Sequence, residues 1–338
     1  LSVLISGAGG SIGSELVRQV ARIGPDRIVL FERYENALYN IDREIREKMP
    51  GVNVVPVVGD ICDAARVENV FQHYRPDLVI HAAAHKHVPM MEINPGEAVR
   101  NNVIGTRILG DAAVKYGVHR FLLISTDKAV NPICVMGITK RMAEMVIQVL
   151  NRNQGKTLFS AVRFGNVLGS SGSVVPLFRE QISRGGPVTV THPDMQRYFM
   201  TVEEAVHLVL LTITQSSGGE IYVLDMGKPI RIVEMAEEMI RLSGLLPYED
   251  VPIIFTGVRP GEKLSEELDV CEDSVLKTPL ARIYLSNIVR ADPGDVQEMM
   301  GSCERICAMK DDYVRLRSAV TDLYSMIVSR SDNRVDKQ

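Results

Sequence analysis

The sequence predicts a doubly wound α/β sheet of parallel strands, followed by a smaller lobe and a helical tail. Three observations carry that expectation. Short β-branched runs alternate with longer helical stretches through the first half of the chain. A glycine-rich turn separates the first such run from the first helical stretch. Past about residue 165 the alternation gives way to shorter, irregular pieces.

Strands are expected at Ser2–Ser6, Arg27–Phe31, Val52–Val58, Asp77–His81, Arg120–Ser125 and Leu158–Arg163. Helices are expected between them, near Ser14–Ile23, Tyr34–Lys48, Ala64–His73, Pro95–Tyr116 and Gly137–Leu150. Such alternation demands parallel strands joined by right-handed crossovers, with helices covering both faces. The glycine- and serine-rich stretch Gly165–Ser173 reads as a long loop. After it come an amphipathic segment over Val174–Arg184 and strand candidates at Val188–Val190 and Ile221–Leu224. From about Pro293 the chain reads as helical and charged, fraying over its last residues, SDNRVDKQ. The expected division is a nucleotide-binding domain over 1–168, a smaller lobe over 169–290 with some segments free to return to the sheet, and a tail over 291–338.

Composition sets the bounds. With 338 residues, 46% hydrophobic and 24% charged, the chain can bury a sizeable core, which excludes disorder for most of its length. No apolar run reaches the roughly 18 residues that a membrane-spanning helix needs. A net charge of -4 argues against a protein built to coat nucleic acid, although a local basic pocket stays compatible with it. The five cysteines, Cys62, Cys134, Cys271, Cys303 and Cys307, are odd in number and lack a CxxC pair, as in a cytosolic protein with reduced thiols. No targeting peptide is visible, and a strand pattern starts at once from Leu1, so the chain is expected to be cut from something longer.

The strongest local signal is Gly7-Ala8-Gly9-Gly10-Ser11-Ile12-Gly13, set between the first strand and the first helix. Gly7, Gly10 and Gly13 let the backbone turn tightly and approach a pyrophosphate, which the N–H groups of the helix N-terminus, Ser11 and Ile12 among them, then bind. Such a sheet is Rossmann-like. Glu32, 19 positions after Gly13, has the spacing of the carboxylate that binds an adenosine ribose, favouring NAD. Arg33 beside it blurs the choice, since a guanidinium can accept the extra phosphate of NADP. Asp60 and Ile61, after the third strand, are placed against the adenine, although Asp60 reads equally well as a helix cap. Small residues Ala82, Ala83 and Ala84 follow His81 and leave room for a flat ring. His85, Lys86 and His87 come next. No acidic or thiol ligand shares a metal-binding spacing with these histidines, so they read as pocket walls and no metal is expected.

The central candidate is Ser125-Thr126-Asp127-Lys128, ending the fifth strand. In many short-chain dehydrogenases a Ser/Thr acts with a tyrosine and a lysine four residues beyond it. Here Lys140 stands at the lysine position and Met136 at that of the tyrosine. A thioether takes no proton, so that catalyst is incomplete, as in a degenerate, non-catalytic fold member; Asp127 and Lys128 stand nearby at the strand end, with a structural ion pair as their bland alternative.

Long blocks of the sequence resemble the UDP-N-acetylglucosamine 4,6-dehydratases of polysaccharide biosynthesis, which are extended short-chain dehydrogenase/reductases. The blocks include GAGGSIGSEL (7–16), HAAAHKHVPMMEINP (81–95), STDKAVNP (125–132), VMGITKR (135–141), AVRFGNVLGSSGSVVP (161–176) and GVRPGEKLSEEL (257–268). The resemblance spans roughly residues 1–285 and stops before the tail. It implies a catalytic NAD, a UDP-N-acetylglucosamine substrate, and a reaction in which hydride leaves C-4 and returns to C-6 as water is lost. It implies that Lys128 takes the C-5 proton and that Asp127 serves O-4 or O-6, with Thr126 beside them. Around the substrate it implies Lys86, His87, Asn166, Ser173, Val174, Val175 and Thr189, with Arg197, Arg259 and Glu262 closing from the second lobe. Methionine at position 136 is similar to the long, membrane-anchored members of the family and goes with retained configuration at C-5. A cytoplasmic catalytic domain that forms at least a homodimer, through Pro95–Tyr116 and Gly137–Leu150, is the corresponding expectation. The alternatives are a UDP-sugar epimerase or reductase of the same fold, or a non-catalytic NAD(P)-binding sensor.

Overall fold

The computed structural model describes residues 1–154, 156–268, 275–286, 291–309 and 312–335; Cys271 lies outside the described residues. Its first half is built from β1 (Ser2–Ser6), α1 (Ser11–Ile23), β2 (Arg27–Glu32), α2 (Glu35–Lys48), β3 (Val54–Val58), α3 (Ala64–Tyr74) and β4 (Leu78–His81). There follow α4 (Val88–Ile93), α5 (Pro95–Val99), a π turn over Arg100–Ile104, α6 (Gly105–Lys115), β5 (Arg120–Ile124), α7 (Val135–Gln154) and β6 (Leu158–Arg163). These six strands are parallel and lie in the order β3-β2-β1-β4-β5-β6, so the winding reverses between β1 and β4. A crevice at the carboxyl ends of the strands opens at such a reversal. Val3, Leu4 and Ile5 of β1 are all buried, as a strand covered on both faces requires. Helix α1 turns Leu16, Val17, Val20 and Ala21 inward at helical spacing and stops at left-handed Gly24 (φ 73°).

The second half contains β7 (Asn166–Val167), α8 (Val174–Ser183), β8 (Val188–Val190), β9 (Gln196–Arg197), β10 (Phe199–Met200), α9 (Val202–Gln215) and β11 (Ile221–Leu224). It continues with β12 (Ile230–Arg231), α10 (Ile232–Leu242), β13 (Ile253–Phe255), β14 (Val275–Lys277), β15 (Ile283–Ser286), α11 (Pro293–Ala308) and α12 (Tyr313–Val335). The stretch 169–290 is therefore not one lobe throughout. β11 joins the main sheet parallel to β6, and β15 and β14 extend it antiparallel. What remains is a small lobe in which α8, α10 and the β8–β13 pair bury Phe178, Val188, Ile232, Ala236 and Ile240.

Several boundaries differ from the sequence expectation for local reasons. β3 starts at Val54, because the backbone N–H of Val52 is still held in a turn by the Met49 carbonyl (3.0 Å). The helix expected over Pro95–Tyr116 is interrupted by the π turn, an insertion that re-aims the side chains after it. α9 and α10 were not anticipated as separate helices; α9 starts where Thr201 accepts a hydrogen bond from the Glu204 N–H (3.2 Å). The tail is a helical hairpin, and helix persists through Val335 where fraying from Ser331 was expected.

The hairpin is no appendage. Val296, Met299, Cys303, Ile306, Leu316, Val320, Leu323 and Ile327 belong to the same apolar core as Val99, Val103, Met142, Val146 and Leu150 of α5, the π turn and α7. Two of the helical stretches expected to join subunits are thus covered, on this side, by α11 and α12 of the same chain. No helix among the described residues is long and apolar enough to cross a membrane.

Candidate active site

The glycine turn works as its spacing predicts. Gly7 sits at φ 70°, and a Cβ there would come within 2.7 Å of the Ala83 nitrogen. A Cβ on Gly13 would lie 1.9 Å from the Gly7 carbonyl oxygen, so strand and helix meet with no room for a methyl group. Gly10 caps α1 without a side chain, leaving the helix N-terminus open. A cavity of about 270 Å³ spreads from this turn along Glu32, Arg33, Asp60, Ile61, Ala82, Ala83 and Ala84. Glu32 accepts from the backbone N–H groups of Gly9 (3.1 Å) and Tyr34 (2.9 Å), which fixes its carboxylate at the rim. Arg33 is drawn aside by Asp60 (3.6 Å). Asp60 lies beyond the end of β3, and its Oδ1 accepts from the Cys62 N–H (2.8 Å); the cap of α3 is Asp63. The cradle has the shape and donors of a dinucleotide site.

His81 is buried, with Ser6 Oγ 2.7 Å from Nδ1 and Thr106 Oγ1 2.9 Å from Nε2. Burial drives its pKa down to about 3, so the ring is a neutral tie between β1, β4 and α6. No cluster among the described residues has the ligand set of a metal site. Lys86 and His87 are exposed on the loop before α4, and the His87 ring lies so close to Gly172 that a Cβ there would meet it at 2.5 Å.

At the end of β5 the chain makes a single 3-10 turn over Asp127–Ala129. Thr126 Oγ1 donates to Asp127 Oδ1 (2.8 Å), and Lys128 Nζ donates to the same oxygen (3.1 Å). Asp127 is 1% exposed, and its other oxygen, Oδ2, has no hydrogen-bond partner. An acceptor so placed is poised for a ligand proton. Lys128 also faces Asn166 Oδ1 (3.4 Å) and Glu266 (3.6 Å). Burial weighs against its ammonium, but Asp127 and Glu266 together lift the pKa above the ordinary lysine value. Glu266 also faces Arg197 (3.8 Å). Met136 and Lys140 lie one turn apart on α7, both buried. Lys140 Nζ donates to the Ile124 carbonyl (2.7 Å), and burial brings its pKa down to about 8.

The other sequence candidates fall in two groups. Asn166 and Arg197 face the 126–128 segment, Asn166 through Lys128 and Arg197 through Glu266. Ser173 caps α8 while its own buried hydroxyl has no hydrogen-bond partner, and Val174 and Val175 form the first turn of that helix. The loop before α8 reaches the glycine turn, where Ser11 Oγ accepts from the Ser171 N–H (3.1 Å). Thr189, by contrast, is occupied by Gln181, which donates to its hydroxyl (2.8 Å) and accepts from its N–H (3.0 Å). Arg259 is exposed, in a turn closed by Glu262, whose carboxylate accepts from the Arg259 N–H (3.2 Å).

Four further residues were not singled out from sequence. Glu266 is one. Asn102, in the π turn, bonds the backbone N–H of His85 (2.8 Å) and Thr139 Oγ1 (3.1 Å), joining the pocket wall to α7. Behind Thr126, the Ser125 hydroxyl donates to Glu144 (2.6 Å), which Arg163 holds at 2.7 Å, all fully buried or nearly so. The interruption of a helix by a buried asparagine pair, Asn101-Asn102, is the only sequence signal that could have flagged any of these.

Sheet order, glycine cradle and the charged cluster at the end of β5 define the extended short-chain dehydrogenase/reductase fold with a dinucleotide site. The chain belongs to the polysaccharide biosynthesis protein family, whose model matches residues 3–288. It is 55% identical over 268 residues to the capsular polysaccharide biosynthesis protein CapD of Staphylococcus aureus, covering 79% of this chain and 45% of CapD. It thus spans less than half of that relative. It is 33% identical to an inverting UDP-N-acetylglucosamine 4,6-dehydratase of Campylobacter jejuni, covering 84% of this chain and 81% of the relative. Among solved structures, Pen from Bacillus thuringiensis superposes with a TM-score of 0.77 at 34% identity, covering 84% and 88% of the two chains.

Proposed function

We propose that this chain dehydrates UDP-N-acetylglucosamine across C-5 and C-6, using NAD catalytically and retaining configuration at C-5. The product, a UDP-2-acetamido-2,6-dideoxy-4-keto-hexose, would serve bacterial surface-glycan synthesis in the cytoplasm. The observation that carries the reading is the Thr126–Asp127–Lys128 cluster, sunk at the carboxyl end of β5 beside an inert Met136.

A bound nicotinamide would supply the hydride acceptor for C-4 and the donor for C-6. Glu32, held by two backbone N–H groups, suits the ribose hydroxyls of NAD, and Arg33 is engaged by Asp60 rather than set out for an extra phosphate. Solved structures of the same fold hold NAD. Lys140, buried one turn beyond Met136 and bonded to the Ile124 carbonyl, would serve the nicotinamide ribose. Lys128 takes the C-5 proton, but in the resting arrangement it is a cation and must first lose one. Its nearest acceptor is Asp127 Oδ1 at 3.1 Å, so the two groups act as a coupled pair. Asp127 serves O-4 or O-6 through its unpartnered Oδ2, and Arg197 supports the diphosphate, to which a guanidinium fork is suited.

The test is direct. Incubation with UDP-N-acetylglucosamine and sub-stoichiometric NAD⁺ should give a product lighter by one water, without build-up of NADH. An isobaric product would indicate an epimerase instead. An unchanged sugar with dinucleotide bound would indicate a sensor. Proton NMR of the product should show the xylo series; an arabino product, inverted at C-5, would overturn the assignment of retention.

A further inference from the structure

The C-terminal hairpin lies beyond the matched family region, yet it reaches toward the candidate site along two polar lines. Arg317 of α12 forms an ion pair with Glu92 of α4 (2.6 Å), whose side chain is 6% exposed. The other oxygen of Glu92 accepts from the Val135 N–H (2.8 Å), the first residue of α7 and the neighbour of Met136. Gly261, in the loop that holds Arg259 and Glu262, packs so closely on Glu92 that a Cβ there would meet its carboxylate at 3.0 Å. Farther along α12, Tyr324 lies beside Arg141 and Glu144, the carboxylate that holds Ser125. α11 and α12 are themselves tied by Arg330 to Glu298 (2.6 Å).

We infer that the hairpin is a clamp on α7, with Arg317 as a positioning residue that holds Glu92 against the first N–H of that helix. A buried carboxylate on the first N–H of a helix is favoured by the helix dipole, and a paired cation offsets the cost of its desolvation. Arg317 supplies that pairing from a segment distant in sequence. Without it, the first turn of α7, which carries Met136 and leads to Lys140, loses its anchor. The apolar core under α11 and α12 keeps the fold intact meanwhile.

The experiment uses the full chain. In Arg317→Ala, amide hydrogen exchange of a peptide covering 135–140 should quicken about tenfold, the scale of one lost charge-assisted anchor, while peptides from β1 to β3 stay unchanged. Arg317→Lys should restore most of the protection. Glu92→Gln should match Arg317→Ala, and the double variant should add nothing to either. Unchanged exchange at 135–140 in Arg317→Ala, or additive effects in the double variant, would overturn the proposal. The catalytic consequence rests on the dehydratase reading: kcat should fall while KM for the UDP-sugar holds. Exchange is read without turnover, so failure of the clamp and failure of the dehydratase reading are told apart.

Discussion

At the scale of single residues, charge placement decides what each group can do. Asp127 is buried, paired on one oxygen and open on the other; under the proposed function, Asp127→Asn should remove a proton acceptor while leaving shape and nucleotide binding in place. General acid–base catalysis contributes about 10²–10⁴-fold, and a turnover loss of that order is expected in the mass-resolved assay. Met136→Ala should cost little beyond packing, and a larger loss there than at Asp127 would reverse the assignment of roles. His81 makes a separate prediction. Burial brings its pKa to about 3 in the fold against the ordinary 6.5, so the unfolded chain binds the extra proton first as pH falls. Its contribution to stability is complete above pH 6.5 and drains away toward pH 3. Thermal melts should show that slope, and His81→Asn should flatten it.

At the scale of elements, the glycine turn and the buried ion pair behind β5 set the tolerances. Gly13→Ala puts a methyl group into the Gly7 carbonyl, so strand and helix must part; overpacking of this kind costs about 1–3 kcal/mol and should weaken dinucleotide binding in a titration. Glu144→Gln breaks the buried ion pair that Glu144 makes with Arg163, a change worth about 3–5 kcal/mol in a urea melt. The glycine cradle, Glu32 and the 126–128 cluster were legible in the sequence because their partners lie at strand ends that hydrophobic runs already locate. Glu266 was not, since Lys128 and Arg197 meet it only across the fold. Glu144 lies three residues past Arg141 on α7, and only packing shows it buried. Thr189 shows the local counterpart: its hydroxyl accepts from Gln181 eight residues back, a contact that its sequence neighbours do not announce. The π turn left only the Asn101-Asn102 pair as a trace, because one inserted residue leaves the hydrophobic spacing almost unchanged.

At the scale of the whole molecule, one apolar core runs from the sheet through α7 into the hairpin. Unfolding should therefore be a single transition by circular dichroism and tyrosine fluorescence, the chain having no tryptophan. Leu323→Ala, within that core, should shift the same transition by about 2–5 kcal/mol rather than release a separate early phase. An early, low-denaturant loss of helix would show the tail to be an independent unit.

The covered face of α7 has a further consequence, which concerns dilution. A helix braced by a second subunit loses its support as the protein is diluted below the dimer dissociation constant. Here the brace is tethered to what it braces, so its effective concentration is set by the length of chain between them and not by the amount of protein in the tube. Specific activity should stay flat from micromolar down to nanomolar enzyme, whatever other surface the molecule uses to associate.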